Sequence, residues 1–400
     1  MTGSWTPTFL GDVVRIKHGF AFSGMTENSD KTLPVVVGIG NFDYTGGFRF
    51  ESSKVKRYVG EYPPEFNLSP GDLLLVMTCQ TPGGEILGIP GIIPDDGQTY
   101  LHNQRLGKVE AIDPNRVYLP FIFQLARWRV FNHHLFATAS GSKILHTSPG
   151  RIEEFRFDIP PLEEQRAIAA TLGALDDKIK SNMRMVKLIP ELISSSVEKE
   201  LENNSKQIPV SDIAEFVNGG AYTKGASGDG RVVIRIAELN SGIGASTVYN
   251  NIEVPDNKTA RVGDILMSWS GTLGVYVWTR ADAIINQHIF KVLPEEYPSW
   301  LVFDRLNSVI SEFRAIAADK ATTMGHIRRD HLDSTLVKIP EKAGLMKLTE
   351  ACTPLWNRYV SVQLEIHQLT NLRDALLPEL MSGRIRVSEA AEVITREALR

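Results

Sequence analysis

The sequence predicts an α+β protein in which two mixed α/β domains with twisted or barrel-like sheets are separated by two long helices that pack as an antiparallel coiled coil. Three observations support this prediction. Two long stretches carry apolar residues at helical spacing, the segments before each of them consist of short strand-like runs, and similar blocks recur in the same order. The chain is therefore expected to contain an internal pseudo-two-fold repeat.

The first long helical stretch spans residues 159–201. Pro160 and Pro161 end the preceding segment, because proline fixes φ and lacks a backbone donor. Glu163 and Glu164 then lie in a first helical turn, where the helix dipole favours negative charge. Forty residues at ~1.5 Å each make a helix of roughly 60 Å, longer than one compact domain needs. The apolar positions alternate spacings of four and three, which indicates a heptad seam: Ile168, Leu172, Leu175, Ile179, Val186, Ile189 and Ile193.

A second seam of similar length lies near the end of the chain. Two such stretches pack most simply as an antiparallel pair. Asn182 is a polar residue within the first seam and can fix its register, and Pro190 is expected to kink that helix. Arg373 interrupts the second seam and Pro354 is expected to bend its first turns. The apolar residues of the second seam are Leu345, Leu348, Cys352, Leu355, Tyr359, Val362, Ile366, Leu369, Leu376 and Leu380.

The repeat is visible in short blocks that occur twice in the same order. GDVVRIKHGFAF at 11 matches SDIAEFVNGGAY at 211, and NLSPGDLLLV at 67 matches TARVGDILMS at 259. HNQRLGKV at 102 matches INQHIFKV at 285, FIFQL at 121 resembles LVFDRL at 301, and His146 and His326 stand at matching points. Each copy then runs into one of the long helices. The repeating unit is therefore one globular domain followed by one long helix.

Within each copy the pattern is mostly that of strands. LPVVVGI, DLLLVM, VVIRIAEL and DILMSW are short apolar or β-branched runs between glycine, proline, asparagine and aspartate. Amphipathic helices are predicted in LPFIFQLARWRVFNHHL and SWLVFDRLNSVISEFRAIA. ENNSKQ at 202–207 is interpreted as a polar linker, and the charged tail after 383 is expected to fray.

Composition is that of an ordinary globular protein, with 42% hydrophobic and 22% charged residues and a net charge of −4. No run of about 18 apolar residues predicts a membrane span, and the first residues carry no basic-then-apolar export signal. We therefore expect a cytoplasmic protein with no membrane partner. Its two cysteines, Cys79 and Cys352, lack a CxxC pattern and are expected to be buried thiols.

Charge is unevenly distributed. A net charge of −4 argues against broad, nonspecific binding to DNA. Between 105 and 151, however, seven basic residues face only Glu110 and Asp113, and such a local excess can meet phosphates. The seven are Arg105, Lys108, Arg116, Arg127, Arg129, Lys143 and Arg151.

Motifs for catalysis are absent from the sequence. There is no GxxxxGK[ST] loop for ATP, no methyltransferase cofactor loop or catalytic tetrad, and no nuclease motif with its carboxylates and lysine in the required order. The adjacent His133 and His134 point in different directions on a helix and have no further ligand at metal-binding spacing. We therefore expect no catalytic residues, no metal and no cofactor bound by this chain.

Two pairs of loops are candidates for contacts with DNA. The loops after the repeated GD-strand, MTCQTPGGE and MSWSGTLG, combine hydroxyls with glycines and a flat polar or aromatic side chain, which suits phosphates or base edges; a surface turn is the alternative. The second pair of loops is ATASGSKILHTSPGR at 137 and AADKATTMGHIRRD at 317. Their lysines, Lys143 and Lys320, suit phosphate, and Thr323, His326 and Arg328 suit base edges. In the repeated Asn-Gln pair the glutamines are candidate adenine readers, or buried amides that hold a turn. The candidates are Thr78, Gln80, Thr81, Gln104, Arg105, Ser142, Lys143 and His146 in the first copy, and Ser268, Trp269, Ser270, Thr272, Gln287, His288, Lys320, Thr323, His326 and Arg328 in the second.

These features together resemble the DNA specificity subunit of type I restriction–modification enzymes. The resemblance is carried by IPPLEEQRAIAATLGALDDKI at 159, LRDALLPELMSGRI near the end, and the duplicated GD-strand and Asn-Gln blocks. It implies two target recognition domains, 1–160 and 205–340, each reading one half of a bipartite site in double-stranded DNA. It also implies two conserved long helices, 161–204 and 341–385, which set the spacer and dock two methylase subunits, followed by a tail at 386–400.

The resemblance places all catalysis on partner subunits. A methylase would bring S-adenosylmethionine, and a motor-nuclease subunit would bring ATP and magnesium. Methylase docking is expected at Glu164, Gln165 and Arg166, although the second long helix opens EKAGLMK and has no matching residues. The alternatives are a specificity subunit of a related methylase–nuclease fusion system, an enzyme with divergent motifs, and a scaffold that holds two ligand-binding domains without DNA.

Overall fold

The computed structural model describes residues 4–24, 26–27, 30–50, 55–202, 204–319 and 325–398. It divides into two compact units. The first contains the residues up to Asp176 and those from Asn371 onward, and the second spans Asp177–Thr370. Each unit therefore combines one globular domain with part of both long helices.

The first globular domain contains thirteen short strands and three short helices among its described residues, and ends at a long helix. In chain order they are β1 (Thr6–Phe9), β2 (Val14–His18), β3 (Thr26–Glu27), β4 (Val35–Val36), β5 (Lys56–Arg57), β6 (Asn67–Leu68), β7 (Leu73–Val76), β8 (Thr78–Cys79), β9 (Pro90–Ile92), β10 (Tyr100–Leu101), β11 (Leu106–Ala111), α1 (Leu119–Arg127), α2 (Arg129–Thr138), β12 (Leu145–His146), α3 (Pro149–Glu153), β13 (Arg156–Ile159) and α4 (Leu162–Leu201).

Two open sheets form the body of this domain. The antiparallel sheet has the order β2-β11-β7-β9, with Val109 of β11 opposite Ile16 and Leu73. The other has the order β3-β5-β4-β10-β6, in which β10 and β4 are parallel. All four residues of β7 are buried, which explains why this strand reads as a continuous apolar run. The described strands form open sheets and no closed barrel.

The second half of the chain has its own set of elements. In chain order they are β14 (Ser205–Pro209), β15 (Glu215–Asn218), β16 (Arg231–Ile234), α5 (Ile236–Ser241), β17 (Val248–Asn250), β18 (Thr259–Ala260), β19 (Ile265–Ser268), β20 (Gly274–Val277), β21 (Ala283–Ile285), β22 (Ile289–Leu293), α6 (Ser299–Asp319), α7 (Arg329–Ser334), β23 (Leu336–Pro340), α8 (Lys342–Met381) and α9 (Val387–Ala398).

The second globular domain repeats the plan of the first. Its antiparallel sheet β15-β22-β19-β20 corresponds to β2-β11-β7-β9, and its sheet β17-β16-β21-β18 corresponds to β5-β4-β10-β6, including the parallel neighbours at its centre. The ribbon β14-β23 likewise corresponds to β1-β13. The predicted internal repeat is confirmed.

The long helices are antiparallel within each unit. In the second unit Lys178 Nζ lies 3.1 Å from Glu365 Oε1, and Lys347 Nζ lies 3.5 Å from Glu200 Oε2, so residue numbers rise in one helix as they fall in the other. In the first unit the segment of α4 up to Asp176 contacts the part of α8 that contains Arg373. The helices run without interruption through Pro190 and Pro354.

The seam residues are buried as the spacing predicts. Ile168, Leu172 and Ile193 are at most 3% exposed. The two polar positions of the seams, Asn182 and Arg373, are also buried, at 0% and 7% exposed. The apolar side of the second unit's helices, which includes Trp356 of α8, packs into one core with sheet residues and with Trp300 and Phe313 of α6.

Four details differ from the sequence prediction. The predicted linker is shorter, because 205–207 already belong to β14, which pairs with β23. The tail is not frayed: 387–398 form α9, whose Ala390 is fully buried. RIAEL does not continue β16 but forms most of α5, where Glu238 accepts from the backbone N–H of Arg235 and so favours a helical turn. The amphipathic helix predicted at 119–135 is two helices, α1 and α2, which are separated at Trp128, where the backbone is extended.

Both cysteines are buried free thiols, as predicted. None of the helices that the structure describes is both long enough and apolar enough to cross a lipid bilayer.

Candidate nucleic-acid interface

In the first unit the two candidate loops meet at the end of the β7 strand. β8 and β12 pair antiparallel, with Thr78 opposite His146. Thr78 Oγ1 lies 3.0 Å from His146 Nδ1. Thr78 is buried whereas His146 is exposed, so the hydroxyl orients an imidazole that solvent can reach. The pairing therefore presents a fixed imidazole, which can both donate and accept hydrogen bonds.

Exposed polar side chains surround this pair. Gln80, Ser142 and Lys143 are exposed. The ammonium group of Lys143 forms no ion pair with any residue that the structure describes, so it is free to meet an anion. Thr81 is half-buried, and its hydroxyl donates to the Glu85 carboxylate and touches the Cys79 thiol, at 3.1 Å from Sγ.

In the second unit the equivalent position is a cluster of aromatic and imidazole rings. Ser270 forms an antiparallel bridge with His326, as Thr78 does with His146. Ser270 Oγ lies 3.0 Å from His288 Nδ1, and Gln287 Nε2 lies 3.2 Å from His288 Nε2. Both ring nitrogens of His288 therefore have a side-chain partner, which fixes the orientation of the ring. Trp269 stands beside both rings, with centroids 5.4 Å from His288 and 6.4 Å from His326.

Ser268 differs from its neighbours. It is fully buried, its hydroxyl donates to Thr272 O at 2.7 Å, and it accepts from the backbone N–H of Gly274 at 2.9 Å. These bonds close the turn after β19, so Ser268 supports the loop from inside. Thr272, on the outside of the same turn, is exposed.

The repeated Asn-Gln pair separates into one buried and one exposed amide in both copies. Asn103 and Asn286 are each 5% exposed and form parallel bridges to Phe20 and Gly220. Gln104 and Gln287 are exposed. The buried-amide interpretation therefore belongs to the asparagines and not to the glutamines.

Arg105 and His102 flank the first of these pairs. Arg105 is exposed, and its backbone N–H donates to Asn103 Oδ1 at 3.1 Å. His102 is buried, with Nε2 2.8 Å from Leu106 O. Burial lowers the pKa of His102 to about 4, so this imidazole is neutral at pH 7 and donates to the carbonyl.

Three further candidates of the second unit precede α7 in the sequence. Lys320 and Thr323 lie outside the described residues. Arg328 is exposed and lies 3.4 Å from Asp330 Oδ2.

The two copies thus place equivalent side chains at one place on the same fold. Thr78 and Ser270 supply the buried hydroxyl, His146 and His326 pair opposite it, and Gln104 and Gln287 are the exposed amides. The next residue differs, being Arg105 in one copy and His288 in the other. The hydroxyl–imidazole contact and the role of the asparagines could not be predicted from residue types alone, although the order of the repeats aligns all of these positions.

The predicted basic excess is only partly available to phosphates. The side chain of Arg127 is 5% exposed and pairs with Asp176 at 2.6 Å, and Lys108 pairs with Asp72 at 2.8 Å. Arg151 donates to the carbonyl of Thr138. These three basic groups thus already have partners within the chain, and the guanidinium of Arg127 is buried. The exposed members of the group are Arg105, Arg116, Arg129 and Lys143.

The residues expected to dock a methylase lie at the start of α4. Gln165 is fully buried; it donates to the carbonyls of Arg116 and Pro160 and accepts from Tyr118 N, each at 2.9 Å. It therefore fastens the helix to the globular domain.

The neighbours of Gln165 are more accessible. Glu164 accepts from Trp5 Nε1 at 3.0 Å and pairs with Arg386 at 2.5 Å, which ties the segment before α9 to α4. Arg166 is exposed over the Tyr118 ring, with Cζ 5.8 Å from its centroid. Among the described residues no three His, Cys, Asp or Glu side chains are grouped so that they could hold a metal ion.

The sequence is similar to those of known DNA specificity proteins. Residues 3–188 match the model of the type I restriction modification DNA specificity domain. The chain is 22% identical over 310 residues to the type I restriction enzyme MjaIX specificity subunit of Methanocaldococcus jannaschii, covering 67% of this chain and 69% of that protein. It is 30% identical over 184 residues to the MjaVIII specificity subunit of the same organism, covering 44% and 40%.

A solved structure has the same fold. The crystal structure of the type I restriction–modification S subunit from M. genitalium matches with a TM-score of 0.63 and 14% identity, over 94% of this chain and 96% of that one. Residues 3–188 thus match the DNA specificity domain of type I restriction–modification enzymes, and the chain is similar in sequence to specificity subunits of these enzymes. Such a subunit is the DNA-recognition component of its system and is not a catalytic one.

Proposed function

We propose that each globular domain reads one half of a bipartite site in double-stranded DNA. The observation that carries this proposal is the equivalence of the two hydroxyl–imidazole sites. Thr78 with His146, and Ser270 with His326, occupy the same strand end in the two copies, beside an exposed glutamine. Side chains that donate and accept hydrogen bonds from a fixed frame suit base edges in the major groove. The differing neighbours, Arg105 and His288, allow the two copies to read different sequences.

The exposed cations near the first site support a separate role in positioning. Lys143 and Arg105 are exposed; Lys143 is three residues from His146 in the chain, and the carbonyl of Arg105 accepts from the backbone N–H of Met77, the residue before Thr78. Contacts of this kind to phosphates supply affinity and orientation and do not report the base sequence. We assign the same role to Lys320 in the second copy, on the basis of its position in the sequence.

The long helices are proposed to set the spacer between the half-sites and to dock two methylase subunits. The support for this is their continuous length of 40 residues each and the antiparallel ion pairs along them. Glu164 and Arg166 remain candidates for docking, and Gln165 would act by holding the helix end in place. S-adenosylmethionine would bind the methylase, while ATP and magnesium would bind motor-nuclease subunits in the cytoplasm.

Methylation mapping tests the proposal. A strain that expresses the chain with its methylase should modify a single motif made of two specified halves around an unspecified spacer. Exchange of 205–340 for the equivalent segment of a relative should change one half and preserve the other. Loss of both halves would contradict independent reading. A complex that binds random duplex no better than the methylase alone would favour the scaffold alternative.

A further inference from the structure

A cavity in the second unit lies where the first unit has a buried ion cluster. The cavity has a volume of about 370 Å³ and is formed by residues of α4, α6 and α8. Its walls include Phe303 and Asp304 of α6 and Trp356 of α8. It lies outside the candidate DNA interface described above.

The internal repeat identifies the counterpart of this cavity. The seams of α4 and α8 align with one constant offset, which also relates His146 to His326 and FIFQL to LVFDRL. With this offset Arg127, Asp176 and Arg373 of the first unit correspond to three residues that line the cavity. These are Asn307, Trp356 and Ile193.

In the first unit the space is filled by the chain itself. Arg127 Nη1 lies 2.6 Å from Asp176 Oδ2, and Arg373 Nη1 lies 3.1 Å from Asp176 Oδ1. The Arg127 guanidinium also lies over the Phe123 ring, with Cζ 5.7 Å from its centroid, and donates to Gln124 Oε1 at 2.9 Å. The first copy therefore shows how this fold holds a guanidinium against an aromatic ring.

The second unit retains equivalents of the two residues, Phe123 and Gln124, that contact the Arg127 guanidinium in the first unit. Phe303 corresponds to Phe123, and Asp304 corresponds to Gln124, so an anionic acceptor replaces a neutral one. Asp304 is 7% exposed, and both hydrogen bonds from Arg305 go to its Oδ2, at 2.7 and 2.5 Å. Ser194, which also lines the cavity, donates a side-chain hydrogen bond to the same carboxylate, so a further donor would share Asp304 with Ser194 and Arg305. Trp356 adds a second aromatic wall, 5.3 Å from Phe303 between centroids.

Two further features indicate that the cavity is built for an occupant. Trp300 lines it and is 1% exposed, and its Nε1 has no hydrogen-bond partner among the described residues. A buried donor without a partner costs free energy that an incoming acceptor would recover. Glu191, which is exposed and also lines the cavity, adds a second negative charge. An arginine residue offers a flat cation for the rings and carboxylates and a main-chain carbonyl for the indole.

We propose that this cavity receives an arginine side chain presented by a methylase subunit. The proposal rests on the proposed docking of methylase on the long helices, and it adds a site and a chemical partner to that function. The first copy fills this space with its own Arg127, whereas the second would take an arginine in trans, beside its own Arg305, which already pairs with Asp304. The two ends of the helix pair would thus differ in how they engage their partners.

Assembly with the methylase tests the source of the arginine. Asn307→Arg places a guanidinium in cis, as Arg127 is placed in the first unit. It should weaken binding of the methylase to the full chain by tenfold or more, a change of about 1.4 kcal/mol or more. Ala315→Arg adds the same group at an exposed site of α6 outside the cavity and should change affinity less than twofold. Unchanged assembly of the Asn307→Arg chain overturns the proposal.

A small probe tests the chemistry of the cavity without the methylase. N-acetyl-arginine methylamide should shift two of the six tryptophan indole signals in the NMR spectrum of the full chain. The isosteric citrulline probe should not do so, and Asp304→Gln, which copies the first unit, should abolish the shifts. Equal shifts with citrulline, or no shift with the arginine probe, overturn the inference. If the wild-type chain binds no methylase, the proposed function fails, and the probe still decides whether the cavity takes a guanidinium.

Discussion

Thr78 Oγ1 lies 3.0 Å from Nδ1 of His146, and the equivalent Ser270 forms the same backbone bridge to His326. The hydroxyl is buried and the imidazole is exposed in both copies. The contact with Thr78 therefore orients the His146 ring through Nδ1 and leaves Nε2 for a ligand. In the second copy Ser270 instead bonds His288, which places a second imidazole at the site.

Removal of either hydroxyl should relax one half-site only. Thr78→Val leaves His146 without its partner and should cost about 1 kcal/mol of stability. Discrimination at one or two base pairs of the first half-site should fall by about 1–3 kcal/mol each. Methylation mapping reads this directly. Ser270→Ala is the reciprocal control and should relax the other half-site, so a variant that degrades both halves would argue against the assignment.

Lys143→Ala should weaken DNA binding by the methylase complex to a similar degree on all sequences. If Lys143 contacts phosphate, the slope of log affinity against log salt should become shallower by about 1. Fluorescence anisotropy over a salt series measures this slope. Lys206, an exposed lysine of β14, provides the control. A changed site preference at constant slope would instead make Lys143 a base reader. The same result is predicted for Lys320, which lies outside the described residues.

The long helices and the repeat could be predicted because both leave periodic signals. Seam residues such as Ile168 and Leu172 are buried where the heptad spacing puts them. Contacts between distant loops leave no such signal, so the pairing of Thr78 with His146 emerged only from the fold. Composition likewise does not show which charged residues are buried. Arg127 counted toward a basic surface, yet its guanidinium is held inside by Asp176.

Asp176 should be essential to the stability of the first unit. It pairs with Arg127 and Arg373, whose side chains are 5% and 8% exposed. Asp176→Ala leaves two buried guanidinium groups without this carboxylate and should destabilise the protein by about 3 kcal/mol. Urea unfolding of the full chain measures the change. Asp177→Ala removes an exposed neighbour and should cost less than about 0.5 kcal/mol. Equal effects of the two substitutions would show that the pair contributes little.

Stability should fall as the pH drops below 6.5. Burial lowers the pKa of His102 from 6.5 to about 4, and burial with the charge of Arg280 lowers that of His367 to about 4. Between these values the unfolded chain binds protons that the folded chain does not. The contribution of these neutral imidazoles to the free energy of unfolding is therefore fully present above pH 6.5 and is lost as the pH falls toward 4. For the buried His102 this contribution is on the order of 3 kcal/mol. His102→Gln should reduce the slope of unfolding free energy against pH between pH 6.5 and 4. An unchanged slope would show that His102 is not its source.

The helix pair should act as a ruler for the DNA spacer. A tetrapeptide inserted after Lys180, with a matching insertion near Ser361, lengthens both helices by about 6 Å at ~1.5 Å per residue. Duplex DNA advances ~3.4 Å per base pair, so the spacer should grow by one or two base pairs while both half-sites stay unchanged. The ion pair of Lys178 with Glu365 places the two insertions at facing points of the antiparallel helices.

Insertion into one helix alone provides the control for this experiment. It should shift seam residues such as Ile179 out of register and expose apolar surface, which costs about 25 cal/mol per Å². The single insertion should therefore lower the melting temperature, whereas the double insertion should restore much of it. Methylation mapping of the doubly inserted chain decides the question. If that chain is active and its spacer has not changed, the long helices do not set the distance between the half-sites.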